Sequence, residues 1–278
     1  MKNSIMIWAV SAIVYLGIVI AGYSVYASIN PKSGEHNNHT TTTTEQEEES
    51  INHQHSHQDH ENHGANTTSE VTPKVSYANG EITIELKDKN NHVPELEVSH
   101  EKNMHFIVVS SDLKEYHHLH PEKKGDGIYQ QKVSLVGNSY KAFVDIKPKG
   151  LQYSVMPIEF HVGETHHEHG VNELVADSDF TKTINGQTVE LTTESFEVNK
   201  EITLNFDVKD AKPEPHLGAL GHVVVLDEDG EKYIHVHPVA DDKTVFDTQF
   251  DKPGIYKLWA EFKFGGQVNI YPFVIEVK

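Results

Sequence analysis

The sequence predicts an all-β protein of two tandem Greek-key β-sandwich domains, preceded by a membrane-spanning segment and a disordered, histidine-rich tether. Three observations predict it. From about residue 73, runs rich in Val, Ile, Phe and Tyr are broken by Gly, Pro, Asn and Asp roughly every 8–12 residues, and no long stretch has helical period. The second half of the chain repeats the first. The residues before 73 have a composition that cannot build a core.

Taken in order, residues 1–29 read as an anchor. Ile5 to Ile29 carries no charged side chain. At about 1.5 Å rise per residue this run spans roughly 37 Å, enough to cross a hydrocarbon core of about 30 Å. Lys2 precedes it and acidic sequence follows, which predicts a single-pass cell-membrane protein with its N-terminus cytoplasmic and its bulk extracellular. A cleaved signal peptide, with Val25 and Ala27 before the cleavage point, is the rival reading, and it exports the remainder equally.

Residues 30–72 read as a disordered acidic tether. They contain the threonine run 40–44, the acidic run 45–49 and His36, His39, His53, His55, His57, His60 and His63. A flexible string of imidazoles and carboxylates can wrap a divalent cation, with modest affinity because ordering the chain costs entropy. His53, His55, His57, His60 and His63 are therefore auxiliary ligands rather than a main site.

Composition narrows the chemistry. Cysteine is absent, which excludes thiolate zinc and blue-copper centres and any disulfide. The net charge of −19, with every basic side chain a lysine, disfavours nucleic acid and attracts cations. Histidine is abundant, at 21 residues, and imidazole suits zinc, copper and nickel.

The repeat gives the histidines a pattern. One copy contains Met104-His105-Phe106-Ile107-Val108-Val109 followed by Tyr116-His117-His118-Leu119-His120-Pro121; the other contains Gly221-His222-Val223-Val224-Val225-Leu226 followed by Tyr233-Ile234-His235-Val236-His237-Pro238. In both, the first histidine lies 13 residues before the second and 15 before the third. Tyr140-Lys141-Ala142-Phe143 likewise matches Tyr256-Lys257-Leu258-Trp259. The repeats are placed at 73–163 and 180–278, with 164–179 as linker. Gly254-Ile255-Tyr256 resembles the tyrosine corner of Greek-key sandwiches.

Spacing predicts convergence. Asp229-Gly230 signals a two-residue type I′ hairpin, which sets His222 opposite His237; a turn at Glu228-Asp229 sets it opposite His235. Alternate strand residues share a face, so either register collects His222, His235 and His237. The same count collects His105, His118 and His120, while His117 points the other way. These six are the candidate ligands of a divalent transition metal, copper or zinc. His216, and with it His100, lies close enough in sequence to add a fourth ligand. His92 and His161 read as structural or exposed. Methionine is scarce outside the first segment, with Met104 and Met156 only, which argues against a methionine-based Cu(I) carrier.

The segments around Leu217–Val225 and Tyr233–Pro238, with Met104–Ser110 and His117–Glu122, resemble the YtkA-like family of secreted bacterial β-sandwich domains. That resemblance covers roughly residues 80–278. It implies an Ig-like or cupredoxin-like fold, a place in heavy-metal handling, and a metal transporter or other envelope protein as partner. Three functions compete. The first is metal buffering, capture or handover, weakening as pH falls through the imidazole range. The second is a non-metal interaction module of the cell envelope. The third, least favoured, is a cupin-like metalloenzyme, in which Asp241 would be the acidic partner; Lys124 stands in the corresponding region of the first copy, so the chain is read as a binding protein and not an enzyme.

Overall fold

A computed structural model describes residues 69–163 and 174–278, apart from the side chains of His235 and His237. The expected anchor, the tether with all its histidines, and linker residues 164–173 lie outside the described residues. Every regular element described is a strand.

The first repeat contains β1 (Val71–Ala78), β2 (Glu81–Asp88), β3 (Leu96–Glu97), β4 (His105–Ser110), β5 (Tyr116–Leu119), β6 (Glu122–Gly125), β7 (Ile128–Lys132), β8 (Asn138–Asp145), β9 (Lys147–Pro148) and β10 (Ile158–Val162). They form one sheet in the order β1-β2-β7-β6, a second in the order β10-β8-β4-β5, and a short β3-β9 pair. The core follows from strand alternation. Ile82, Ile84 and Leu86 of β2 meet Phe106 and Val108 of β4 and Tyr140, Ala142 and Val144 of β8. The sandwich begins slightly before the expected residue 73, because Val71 is already paired with Asp88 and the Glu70 amide donates to the Gln152 carbonyl.

The second repeat contains β11 (Thr181–Ile184), β12 (Gln187–Thr192), β13 (Glu201–Val208), β14 (Gly221–Asp227), β15 (Tyr233–Pro238), β16 (Val245–Gln249), β17 (Gly254–Phe264) and β18 (Gln267–Val277). They run as one hydrogen-bonded ribbon, β11-β12-β13-β16-β15-β14-β17-β18. The ribbon is continuous because β15 pairs with β14 along its first part and with β16 at His237 and Pro238. Leu204 and Phe206 from one half pack with Val225, Leu258, Phe262 and Phe273 from the other.

Both repeats carry a tyrosine corner. The Tyr256 hydroxyl donates to the Lys252 carbonyl at 3.0 Å, as the Gly-x-Tyr pattern implied, and the Tyr140 hydroxyl donates to Val136 at 2.9 Å.

The central strands are buried on both sides. Phe106 and Val108 of β4 face their own core, while Ile107 and Val109 face a third cluster that they share with Val224 and Leu226 of β14. The two sandwiches therefore pack back to back through their β4 and β14 sheets. Removing the corner hydrogen bond by Tyr256→Phe should lower stability by about 1 kcal/mol, and Tyr140→Phe, which also takes a partner from Glu115, by more. The check is a downward shift of the urea midpoint with an unchanged slope.

Candidate metal centre

The hairpins deliver the histidines in the first of the two anticipated registers. On β4–β5, Phe106 pairs with Leu119 and Ile107 with His118, so one step further sets His105 opposite His120. On β14–β15, Val223 pairs with Val236, which sets His222 opposite His237. The loop joining β14 and β15 is not the two-residue turn anticipated from Asp229-Gly230. It holds four residues, closed by the Gly230 amide on the Asp227 carbonyl and by the Asp227 amide on the Lys232 carbonyl. The reason is the Asp227 side chain, whose Oδ1 accepts from the amides of Glu231 and Lys232 and so satisfies a wider loop. Gly230 takes the left-handed conformation that loop needs, at φ 63°, and Leu113 takes it in the first repeat at φ 55°.

His105, His118 and His120 converge. One nitrogen from each lies within 4.8 Å of the others. His105 Nδ1 is 3.0 Å from His118 Nε2 and 3.2 Å from His120 Nε2. The outward nitrogens determine the tautomers. His105 Nε2 lies 3.1 Å from the Ser99 carbonyl oxygen, which only accepts, so this nitrogen carries the hydrogen. His118 Nδ1 lies 3.0 and 3.2 Å from the two carboxylate oxygens of Glu261, so it too is the donor. The inward nitrogens, His105 Nδ1, His118 Nε2 and His120 Nε2, are then the ones that face one another. Burial, and the charge of His118 beside it, push His120 down to about 3, which keeps that ring neutral and able to donate a lone pair.

Glu261 comes from the other repeat, on β17, and is buried. Burial pushes its carboxyl up, but the attraction of His118, hydrogen bonds from His118 and Tyr116, and the attraction of His222 outweigh it and hold it at about 2. The Tyr116 hydroxyl donates to Glu261 at 2.5 Å. A carboxylate behind the imidazole is the arrangement that fixes ring orientation and raises ligand basicity in metal sites.

The surrounding contacts are reciprocal between repeats. Tyr116 stacks on Trp259 at 4.7 Å, and its counterpart Tyr233 stacks on Phe143, the counterpart of Trp259, at 5.2 Å. The Lys257 ammonium donates to the Leu113 carbonyl, and the equivalent Lys141 donates to the Asp229 carbonyl and pairs with Glu231. Such i-to-j and j-to-i contacts define a two-fold interface. His222 sits at the same junction, its ring 5.9 Å from His118 and 6.3 Å from His105.

The duplication extends to the sequence family. The domain of unknown function DUF8832 matches residues 66–164 and again 182–278. The chain belongs to this family, in two copies. Among curated proteins nothing matches. Solved structures similar to it include a two-fibronectin-type-III-domain segment from chicken tenascin (10% identity, 74% of this chain and 98% of that one, TM-score 0.25). Others are the FN1–FN3 domains of chicken CNTN1 (12%, 74% and 66%, 0.22) and the BSP domain of a biofilm associated protein (12%, 75% and 30%, 0.22). Likenesses of this size carry no argument about the chain.

The remaining histidines separate clearly. His117 faces away from the triad, toward Glu115 at 3.9 Å. His161 meets Ser139 and His92 meets Asp88 at the surface. His216 lies with its ring 5.9 Å from that of His222, and its carbonyl accepts from His222 Nε2 at 2.9 Å. Ser99 does the same for His105, so the duplicated feature at this place is the backbone carbonyl rather than an imidazole. Met104 is a core residue of the first sandwich. His53, His55, His57, His60 and His63 lie outside the described residues, and His235 and His237 are placed by backbone alone. Sequence reasoning missed Glu261 and Tyr116. Their signal was a lone carboxylate inside the apolar run Leu258-Trp259-Ala260-Glu261-Phe262, and a tyrosine repeated at 116 and 233.

Nitrogen-15 spectra of the metal-free protein, taken at a pH high enough that the rings are neutral, should show His105 as the Nε2–H tautomer and His118 as the Nδ1–H tautomer. Trp259→Ala should cost about 3–5 kcal/mol and separate the unfolding of the two repeats. A single transition with an unchanged midpoint in denaturant would contradict the interface described.

Proposed function

We propose that this protein binds a transition-metal ion of the copper or zinc class through His105, His118 and His120, with Glu261 orienting His118 from the neighbouring repeat. The observation that carries this reading is the convergence of three ring nitrogens, one from each histidine. His105 Nδ1 stands 3.0 Å from His118 Nε2 and 3.2 Å from His120 Nε2, while the opposite nitrogens of His105 and His118 are held by Ser99 and Glu261. A cation accepting from these nitrogens, in place of any proton between them, bonds to all three rings at once. Three nitrogens on one tetrahedral ion, at about 2.0–2.1 Å per bond, stand roughly 3.3–3.4 Å apart, so small ring shifts complete the site. The nitrogen-only donor set suits Cu(II) and Zn(II).

The matched set His222, His235 and His237 is proposed as the second repeat's ligands, on its duplicated spacing and register. The uncharged run Ile5 to Ile29 supports an anchored, extracellular placement, with the tether histidines as a loose collector. On this reading the molecule captures, buffers or hands over metal beside a transporter or other envelope protein, and does not turn over a substrate. The resemblance of the Gly-His and His-x-His-Pro motifs to the YtkA-like family implies the same role.

The test is calorimetric titration of the full chain in detergent, with the tether and linker histidines replaced by Ser, against Zn(II) and Cu(II). Changing His105, His118 and His120 together to Ala should remove an ion from the stoichiometry. Glu261→Gln should weaken that ion's affinity by about 10–100-fold, the usual cost of losing a carboxylate behind a ligand histidine. Equal uptake by parent and triple variant would sink the reading.

A further inference from the structure

We infer that His120 is the exchangeable ligand of this site: the ion enters, leaves and passes to an incoming donor on the His120 side, while His105 and His118 hold it as a fixed pair. The inference rests on the metal reading above and adds to it the route by which the ion is exchanged.

The three rings are not held alike. A metal-ligating histidine ordinarily gives its other ring nitrogen to a fixed acceptor, which sets the angle of the ring. Two of the three do so here. His105 Nε2 lies 3.1 Å from the Ser99 carbonyl, and Ser99 is pinned by backbone hydrogen bonds in both directions with Lys102. His118 Nδ1 meets both oxygens of Glu261, which the Tyr116 hydroxyl holds in turn, as Tyr233 holds the counterpart acid Asp145. For His120 the hydrogen-bonding contact among the described residues is the inward one, Nε2 with His105 Nδ1. Its Nδ1 meets no acceptor among them, so only the ion would fix the angle of this ring.

Backbone and burial point the same way. β5 ends at Leu119, paired with Phe106, so His120 stands one step beyond the ladder. Pro121 follows and has no amide hydrogen with which to extend it. His105 is 1% exposed and the His118 side chain 3%, whereas His120 is half-buried. Solvent, and any incoming donor, reach the ion from the His120 side. The His120 ring lies 5.0 Å from that of His105 and 4.7 Å from that of His118. A turn about its own side-chain bonds releases one coordination bond and leaves Glu261, the Ser99 turn and the β4–β5 pairs undisturbed. An incoming donor then fills the position that His120 vacates. Exchanging one bond at a time costs less than breaking three together, and capture and handover need such a step.

Cu(II) is the probe, on the full chain in detergent with tether and linker histidines replaced by Ser. Each signal is read as the difference from the variant with His105, His118 and His120 all changed to Ala, which cancels ions held elsewhere. His120→Gly should keep its ion more weakly and pass it to EDTA several times faster than the parent. Free imidazole should restore the parent's electron paramagnetic resonance spectrum to this variant. His118→Gly should lose the ion with imidazole or without, because the sealed position does not admit it. His118→Gln, which keeps a donor for Glu261, should lose the ion with the fold intact. In the metal-free parent, carbon-13 relaxation dispersion should show ring exchange at His120 and none at His105 and His118, a readout that needs no variant to fold. Equal behaviour of the two glycine variants, or a His120 ring as quiet as the other two, overturns the exchange route while the metal reading stands. No difference signal from the parent overturns both.

Discussion

Everything at the centre of this protein depends on the burial of one carboxylate, Glu261, between the two repeats. A carboxylate taken out of water costs several kcal/mol unless partners replace its hydration. Here the Tyr116 hydroxyl and His118 Nδ1 do so, and both come from the other sandwich. The same contact does two things. It ties the repeats together, and it turns His118 so that Nε2 faces His105 and His120.

The apolar surface around Glu261 makes that arrangement stable. Ile107, Val109, Phe143, Val224, Leu226 and Trp259 exclude water from the junction, and the reciprocal Tyr–Trp and Tyr–Phe stacks hold the sheets in register. Low polarity strengthens the hydrogen bonds to Glu261, and those bonds offset the cost of its burial. Small differences between the copies break the symmetry. Asp145 is one methylene shorter than Glu261, and Phe143 is smaller than Trp259. A duplicated domain thus presents two related but unequal halves to one cluster of imidazoles.

The first histidine of each triad is aimed by backbone rather than by side chains. Ser99 to Lys102 and His216 to Ala219 are tight turns closed by hydrogen bonds in both directions. Their central residues lie in the left-handed region: His100 at φ 46° and Glu101 at 62° in one, Leu217 at 52° and Gly218 at 82° in the other. Three of these four are not glycine, and each such residue carries conformational cost. What the turn provides is a carbonyl oxygen at the outer nitrogen of His105 or His222, which selects the tautomer.

The repeat, its strand rhythm, the tyrosine corner and the shared face of His105, His118 and His120 were all legible in the chain, because each is local. Strand alternation has a period of two, hairpin register follows from a count across one loop, and an internal duplication is visible by inspection. The exact loop was less legible, since Asp227 stabilises four residues where Asp-Gly alone suggests two. The tertiary structure alone decided that the two sandwiches share one histidine junction and that Glu261 and Tyr116 belong to it. Tyr116 and Glu261 are 145 residues apart in the chain, and no local period relates them. The one trace in the sequence was the unbroken apolar run in β4 and in β14, where a strand with one wet face would alternate. That run said that a second face was covered. Only packing says by what.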